Sequence, residues 1–208
     1  MRPFLRPEHR ENLTIRYTES HRHYHNLEHI TILFNLASAH GIRLSIPQQL
    51  AIWYHDCVYD PKSKNNEENS CQILLDHHEN EPINNHGYLS RAINIIMDTK
   101  THTSNDHESQ TVLDLDLAGL GFDFESYQYA TKQIRQEYQH LTYEEWVTGR
   151  KIFLNNLLSR KYIFHTPWAR DFYETKARRN IERELKWWFA ASLHSHGVIR
   201  GCLRLNTN

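Results

Sequence analysis

The chain has 208 residues, 39% of them hydrophobic, and its 24 Lys and Arg side chains nearly balance 25 Asp and Glu side chains. This balance argues against a nucleic-acid or membrane partner, which would need excess positive charge, and no apolar run of about 18 residues or apolar leader predicts a membrane span or signal peptide. Three cysteines form neither a disulfide framework nor a zinc motif, so the composition favours a cytoplasmic protein with reduced thiols.

Helical patterns fill the first half of the chain, and strand-like alternation of apolar residues is missing. Apolar residues three or four apart predict a helix over 26–40. Ser45 opens a second helix with a capping box, and this helix is predicted to stop near Asp60. A polar loop then leads into a third helix, and a fourth is predicted over 88–98.

The second half of the chain continues this pattern. The stretch DHESQTVLDLDLAGLG is predicted to be helical until the glycines at its end, and a sixth helix covers 123–140. A second capping box opens a helix over 142–160, and a Thr-Pro pair opens a last long helix over 166–194. Because no repeat or linker interrupts the chain, we predict a single all-α domain over 1–208.

Histidines are frequent in this sequence, which has sixteen of them. The adjacent pair His77-His78 and the HSH stretch at 194–196 look like solvated polar positions. The segment HYHNLEHI differs, because His25 and His29 stand four residues apart. On a helix this spacing is about one turn, or about 5.4 Å along the axis, and it puts both imidazoles on nearly the same side.

The dipeptide His55-Asp56 is the strongest local indication of chemistry. Adjacent side chains on a helix point about 100° apart, so the two cannot pack into one apolar face, although both can reach a cation at that edge. An ionised aspartate beside an apolar core is costly unless it is paired or bound to a metal. A His-Asp pair with a purely structural role is the alternative.

More polar residues follow along the chain, namely His102 in TKTH, and Asp114 and Asp116 in LDLDLAGLG. Imidazoles and carboxylates together suit a borderline divalent metal such as zinc, iron or manganese, and a four-ligand set would leave positions open for water. On a helix the two aspartates lie about 200° apart, so only one of them can face the metal. Spacing alone does not assemble such a site.

The order His, His-Asp, Asp resembles the HD-domain superfamily of metal-dependent phosphohydrolases. The chain is most similar to a bacterial family of predicted HD-type phosphohydrolases that shares seven short motifs over nearly its whole length. In this sequence those motifs lie at 22–30, 55–60, 66–70, 99–102, 114–121, 149–150 and 177–180. The resemblance implies a helical HD-domain bundle, with an HD core over 20–125 and C-terminal helices over 126–195 packed on it.

The segment YHNLEH also resembles the YHNxxH segment of the cyclic-nucleotide phosphodiesterases, in which the second histidine binds metal and the first protonates the leaving oxygen. That resemblance implies a general-acid role for His25, and the alternative is that this residue caps the helix start or binds solvent. Tyr59 and Asp60 stand where those enzymes carry another histidine, and their base-binding clamp cannot be mapped. A cyclic nucleotide is therefore only one candidate substrate. The implied metal ligands are His29, His55, Asp56 and Asp116.

The resemblance assigns supporting roles to further residues. Glu67 would orient a water or cap a helix, and His102 would contact a second metal or a phosphate, or lie in a polar loop. The LxxLG register places Asp116 at the metal, and leaves Asp114 to cap, pair or support a ligand. Four basic residues would either bind a phosphate through their hydrogen-bond donors or be ordinary surface charges. These are Arg22, Lys100, Arg135 and Arg150.

These observations predict a metal-dependent hydrolase acting on a phosphate ester, with nucleotides among the candidate substrates. The resemblance implies a divalent transition metal (zinc, manganese, iron or cobalt) and a second, weaker metal such as magnesium or manganese. A non-catalytic metal-containing nucleotide sensor is one alternative. An HD-type di-iron oxygenase is another, but it needs extra histidines, and only His102 is well placed in the sequence. The oligomeric state is left open.

Overall fold

The computed structural model describes residues 5–79 and 86–187. Every regular element in these two ranges is helical, so the predicted all-α class is confirmed. No helix in the described ranges is long and apolar enough to cross a membrane. The first eight helices are α1 (Pro7–Tyr17), α2 (Leu27–Ala39), α3 (Ile46–Tyr54), α4 (Asn66–His78), α5 (His86–Thr99), α6 (His107–Leu117), α7 (Phe124–Glu137) and α8 (Tyr143–Ser159).

Two further elements complete the described fold. A 3-10 turn, Ala118–Gly121, follows α6 directly. The last helical stretch begins with α9 (Pro167–Ala169), passes through a π-helical turn at Arg170–Glu174, and is α-helical over 175–187. The part of the predicted last helix beyond 187, including the HSH stretch, lies outside the described residues.

Two apolar clusters form the core, and α6 lies between them. Leu115 belongs to the cluster built on α1 to α6, whereas Leu117 belongs to the cluster built on α8 and the last helical stretch. Leu36 of α2 and Trp168 pack against both clusters and so join them. Asp116 stands between these two leucines in sequence, so the fold carries a carboxylate to the junction of the two cores.

Both predicted capping boxes are confirmed. The Ser45 side chain accepts a bond from the Gln48 backbone N–H at 3.4 Å, and the Gln48 side chain accepts one from the Ser45 N–H at 2.8 Å. Thr142 and Glu145 make the same reciprocal pair at 3.3 and 2.8 Å. These bonds satisfy backbone donors that the first turn leaves without helical partners, which is why the helices begin there.

The predicted end of the second helix near residue 60 is wrong, because α3 already ends at Tyr54. The buried Arg22 guanidinium donates hydrogen bonds to the backbone carbonyl oxygens of Asp56, at 2.6 Å, and Cys57, at 3.1 Å. These carbonyls would accept helical bonds if α3 continued, so the arginine stabilises a turn instead. The His55-Asp56 pair therefore lies at the end of the helix rather than along its side.

The prediction that His77 and His78 are solvated is also wrong. His78 is buried, and the His77 ring stacks on His9 of α1 with ring centroids 4.4 Å apart. The Tyr54 hydroxyl hydrogen-bonds to Nδ1 of His77 at 2.7 Å. The sequence pattern did not predict α1, because an imidazole occupies part of the helix face that is buried.

Candidate metal centre

Three helix ends bring three predicted ligands together. His29 lies in the first turn of α2, His55 directly follows α3, and Asp116 is in the last turn of α6. Nε2 of His29 lies 3.0 Å from Oδ1 of Asp116, and Nε2 of His55 lies 3.7 Å from the same oxygen. One potential ligand atom from each of the three residues lies within 4.8 Å of the other two. We call these three residues the ligand cluster.

The local sequence fixes the start of α2 and thereby His29. The Asn26 side chain accepts hydrogen bonds from the backbone N–H groups of Glu28, at 2.9 Å, and His29, at 3.3 Å. Asparagine is among the preferred residues at this position because its oxygen satisfies first-turn donors. The asparagine of the YHN segment is thus structural, and it sets the position of the histidine that follows.

Asp56 and His102 extend the ligand cluster. Oδ2 of Asp56 lies 3.0 Å from Nε2 of His55, and Nε2 of His102 hydrogen-bonds to Oδ2 of Asp116 at 3.0 Å. His102 has a left-handed backbone, with φ of 50°, and Arg160 donates a 2.8 Å bond to its carbonyl oxygen. A non-glycine residue in this region is uncommon, so the surrounding contacts hold His102 in place.

The electrostatics of the ligand cluster favour a cation. Burial lowers the pKa of His55, but the charge and hydrogen bond of Asp56 and the charge of Asp116 together outweigh burial and raise this pKa to about 9. Burial raises the pKa of Asp116, but bonds from His102 and His29 hold it well below its usual range. The protonated imidazole of His55 thus balances a buried carboxylate, and a divalent cation can replace this proton when it binds.

The donor set also fits a divalent cation chemically. Imidazole nitrogens with carboxylate oxygens suit zinc, manganese, iron or cobalt. Nε2 of His55 is buried and, within the described residues, has no well-aligned hydrogen bond. Its nearest polar neighbour is Oδ2 of Asp56 at 3.0 Å, and coordination to a metal would satisfy this buried nitrogen fully.

His25 does not join the ligand cluster but faces it from a separate network. Its Nδ1 lies 2.6 Å from Oε2 of the buried Glu137, and its ring stacks on Tyr59 with centroids 4.3 Å apart. The other oxygen of Glu137 accepts the backbone N–H groups of His23, Tyr24 and His25 at 2.7–2.9 Å. With Nδ1 engaged, Nε2 is the nitrogen left to act on a substrate.

Glu137 also controls the charge of His25. Burial lowers the pKa of His25, but the hydrogen bond to Glu137 and nearby carboxylates outweigh it and raise this pKa above its ordinary value. An imidazole that holds its proton near neutral pH is suited to general-acid chemistry. Sequence reasoning missed Glu137, which is 112 residues away from His25 and belongs to none of the motifs quoted above.

Asp116 contacts the histidines of the site and Asp114 does not, which agrees with the sequence prediction. Asp114 is fully buried, but its carboxylate accepts hydrogen bonds from the backbone N–H of His165, at 2.8 Å, and from Thr166, at 2.6 and 2.7 Å. It therefore supports the start of the last helical stretch, whereas Asp116 faces the histidines. The role left to Asp114 is structural.

The predicted phosphate contacts are engaged elsewhere. Arg22 binds backbone carbonyls at the turn after α3, and Arg135 binds the carbonyl oxygens of Tyr138 and Leu141. Nε of Arg150 pairs with Glu184 at 3.1 Å. Within the described residues, these three guanidinium groups bind backbone carbonyls or Glu184 and not the side chains of the ligand cluster.

Lys100 and Glu67 lie on the wall of a cavity that reaches the ligand cluster, as does Arg150. Nζ of Lys100 lies 2.5 Å from Glu68 and 3.6 Å from Glu67. Glu67 is half-buried and does not belong to the ligand cluster. Its predicted role in orienting a water remains a prediction.

Comparison with known proteins adds no assignment: no family model, no curated protein and no solved structure matches this chain. The case for a function therefore rests on the ligand cluster, on the His25 network and on the cavities that meet them.

Proposed function

We propose that this protein is a metal-dependent phosphohydrolase of the HD-domain type that acts on a phosphate ester, with nucleotides among the candidate substrates. The observation that carries the proposal is the ligand cluster of His29, His55 and Asp116, which Asp56 and His102 extend. Two of these residues form the His-Asp dipeptide, and Asp116 follows it in the order expected for that superfamily.

The ligand cluster would hold a zinc, manganese, iron or cobalt ion, and Asp56 lies where it can contribute to a second, weaker site for magnesium or manganese. Such an ion, when bound, lowers the pKa of water and neutralises charge on phosphoryl oxygens. Buried carboxylates and the hydrogen bonds of His102 hold the ligand atoms in fixed positions, which limits the reorganisation needed during reaction.

His25 supplies the proton in this proposal. Glu137 holds its Nδ1, so Nε2 delivers a proton to the oxygen of the departing alcohol. General-acid catalysis of this kind contributes about 10²–10⁴-fold to rate. Tyr59 stacks on the ring and donates a 3.1 Å bond to the same Glu137 oxygen, which restricts the ring further. The restraint keeps the proton donor at one position relative to the ligand cluster.

Metal binding and turnover test the proposal together. We expect the purified protein to bind about one manganese, cobalt, zinc or iron ion per chain and to release phosphate or alcohol from a panel of phosphate esters. His29→Ala should lose metal and activity together, whereas His25→Ala should keep the metal and lose rate. His107→Ala, a change at an exposed histidine, is the matched control. Absence of stoichiometric metal under every condition, or of turnover for every ester, would contradict the proposal.

A di-iron oxygenase is the second candidate, and the contact between His102 and Asp116 favours it because it adds a third imidazole to the centre. Iron analysis distinguishes the two. Two tightly held irons per chain with a visible absorption band would support the oxygenase, whereas ester hydrolysis with redox-inert zinc or magnesium would support the hydrolase.

A further inference from the structure

Two cavities reach the ligand cluster from different sides. One, of about 520 Å³, is lined by His25, His55, Asp56 and His102, and we call it the chamber. The other, of about 740 Å³, runs between α2 and α7 past His29, and we call it the groove. Asp116 lines both. A group held at the ligand cluster can therefore extend in two directions at once.

Tyr24 and α7 border both cavities. The Tyr24 ring contacts the rings of His25, with centroids 5.0 Å apart, and His29, with centroids 5.2 Å apart. Helix α7 presents Gln133 to the groove and Ile134 to the chamber, so the two sides of one helix line different cavities. The general-acid candidate opens only into the chamber.

The charges around these cavities suit an anion of low charge. Among the described residues that line them, the only Lys or Arg residues are Lys100 and Arg150, both in the chamber. Lys100 pairs with Glu68 at 2.5 Å, and Arg150 pairs with Glu184 at 3.1 Å. A phosphate monoester carries about −1.5 to −2 charge at neutral pH, with a pKa of about 6, whereas a diester has no second proton to lose and carries a single charge.

The linings themselves indicate what each cavity accepts. The groove has the apolar side chains of Ile32 and Leu36 along α2, but only acidic charges at its edge, among them Glu28. Acidic charges repel a second phosphate, so an uncharged organic group fits there. The chamber is walled by aromatic side chains, including Trp146 and Phe153, which favour a flat apolar group.

We propose that the substrate is a phosphodiester whose phosphorus lies at the ligand cluster, whose leaving group occupies the chamber and whose retained substituent occupies the groove. This inference rests on the proposed function and narrows its substrate class. The oxygen of water forms a bond to phosphorus, and the phosphorus–oxygen bond on the chamber side breaks. His25 gives its proton to the departing oxygen and regains one from the water. One diester and one water thus yield one monoester and one alcohol.

Matched esters with one leaving group test the inference. Manganese-loaded protein should turn over bis(para-nitrophenyl) phosphate with a kcat/KM about tenfold above that for para-nitrophenyl phosphate, because only the diester fills the groove. Ile32→Trp and Gln133→Trp both reduce the space in the groove and should lower this ratio by about tenfold. Asn35→Trp places the same side chain on an exposed position of α2 and should leave the ratio unchanged.

Binding gives a readout apart from turnover. Titration calorimetry should show diphenyl phosphate binding more tightly than phenyl phosphate, and this preference should be lost in the two groove variants, whose helicity is checked by circular dichroism. If neither ester is hydrolysed with any metal, the proposed function fails and the inference falls with it. If the monoester is the better substrate, or the groove variants lower both activities equally, the diester inference is overturned while the hydrolase stands.

Discussion

Replacing Glu137 by glutamine changes the charge beside His25 while keeping the shape of the side chain. One carboxylate oxygen accepts three backbone N–H groups, and an amide oxygen can continue to do so. The other oxygen contacts Nδ1 of His25 at 2.6 Å and the Tyr59 hydroxyl at 3.1 Å. An amide NH₂ in that place donates, so Nδ1 must become an acceptor, and the imidazolium form of His25 loses its main support.

The size of the effect follows from the same contacts. Burial raises the pKa of Glu137, but the hydrogen bond and charge of His25 outweigh it and lower this pKa to about 2. Relative to the ordinary value of 4.5 this difference corresponds to about 3 kcal/mol, which agrees with two charge-assisted bonds of about 1.5–3 kcal/mol each. We expect Glu137→Gln to lower the free energy of unfolding at pH 7 by about 2–4 kcal/mol.

Catalysis and titration are measured separately. The variant should lose about 10²–10⁴ in kcat for an ester of a poor leaving group, such as a simple alcohol, and much less for a nitrophenyl ester, which needs little protonation. NMR titration should show a lower pKa for His25 in the variant than in the wild type. Glu144→Gln, at an exposed position of α8, is the control. An unchanged His25 pKa, or equal losses for both leaving groups, would refute the positioning role of Glu137.

Three further sets of substitutions test the rest of the structure. Asp116→Asn should abolish tight metal binding in calorimetry, whereas Asp114→Asn should weaken metal binding by at most about 10–100-fold. Asp114→Asn should also lower Tm, because the Asp114 carboxylate supports the last helical stretch. The reverse order of metal affinities would show that Asp114, and not Asp116, is the metal ligand. Burial and two neighbouring imidazoles lower the pKa of His77 to about 4. The unfolded chain then binds more protons between about pH 6.5 and 4, so the free energy of unfolding should decrease as the pH is lowered through that window. We expect a decrease of about 1 kcal/mol after solvent screening of this half-buried ring. In urea unfolding at several pH values, the free energy of unfolding of His77→Gln should depend less steeply on pH. A Cβ at Gly121 would lie 2.7 Å from the Cβ of Tyr173, so Gly121→Ala should lower the free energy of unfolding by about 1–3 kcal/mol. Gly149 lies in mid-helix with open space around it, so Gly149→Ala should raise the free energy of unfolding by about 0.5–1 kcal/mol, as measured by thermal unfolding.

Local sequence was sufficient to predict most helices and their starts. The capping boxes at Ser45 and Thr142 were found correctly because the bonds that define them join residues only three apart. Apolar periodicity likewise predicted the all-α class, since a helix shows its buried face within a few turns of sequence. The first helix was missed because His9, a polar residue, takes a buried position that only its stacking on His77 explains.

The sequence also indicated the order of the candidate ligands along the chain, but it did not show that they lie close together in space. Motif resemblance selected Asp116 over Asp114, and the structure places the two carboxylates against different partners, as that register requires. Nothing in the spacing showed that His29 and His55 would approach one carboxylate, because three separate helix ends must pack together before they do. The metal and the reaction remain predictions.

Tertiary structure alone decided which charges are available to the site. Glu137 reaches His25 across 112 residues, and Arg22 ends α3 by binding the carbonyl oxygen of Asp56 across 34. Arg150, a candidate phosphate contact in the sequence, is held by Glu184. A side chain contributes to a site according to its nearest partners, and partners so distant along the chain are determined by the packing of whole helices rather than by any local pattern.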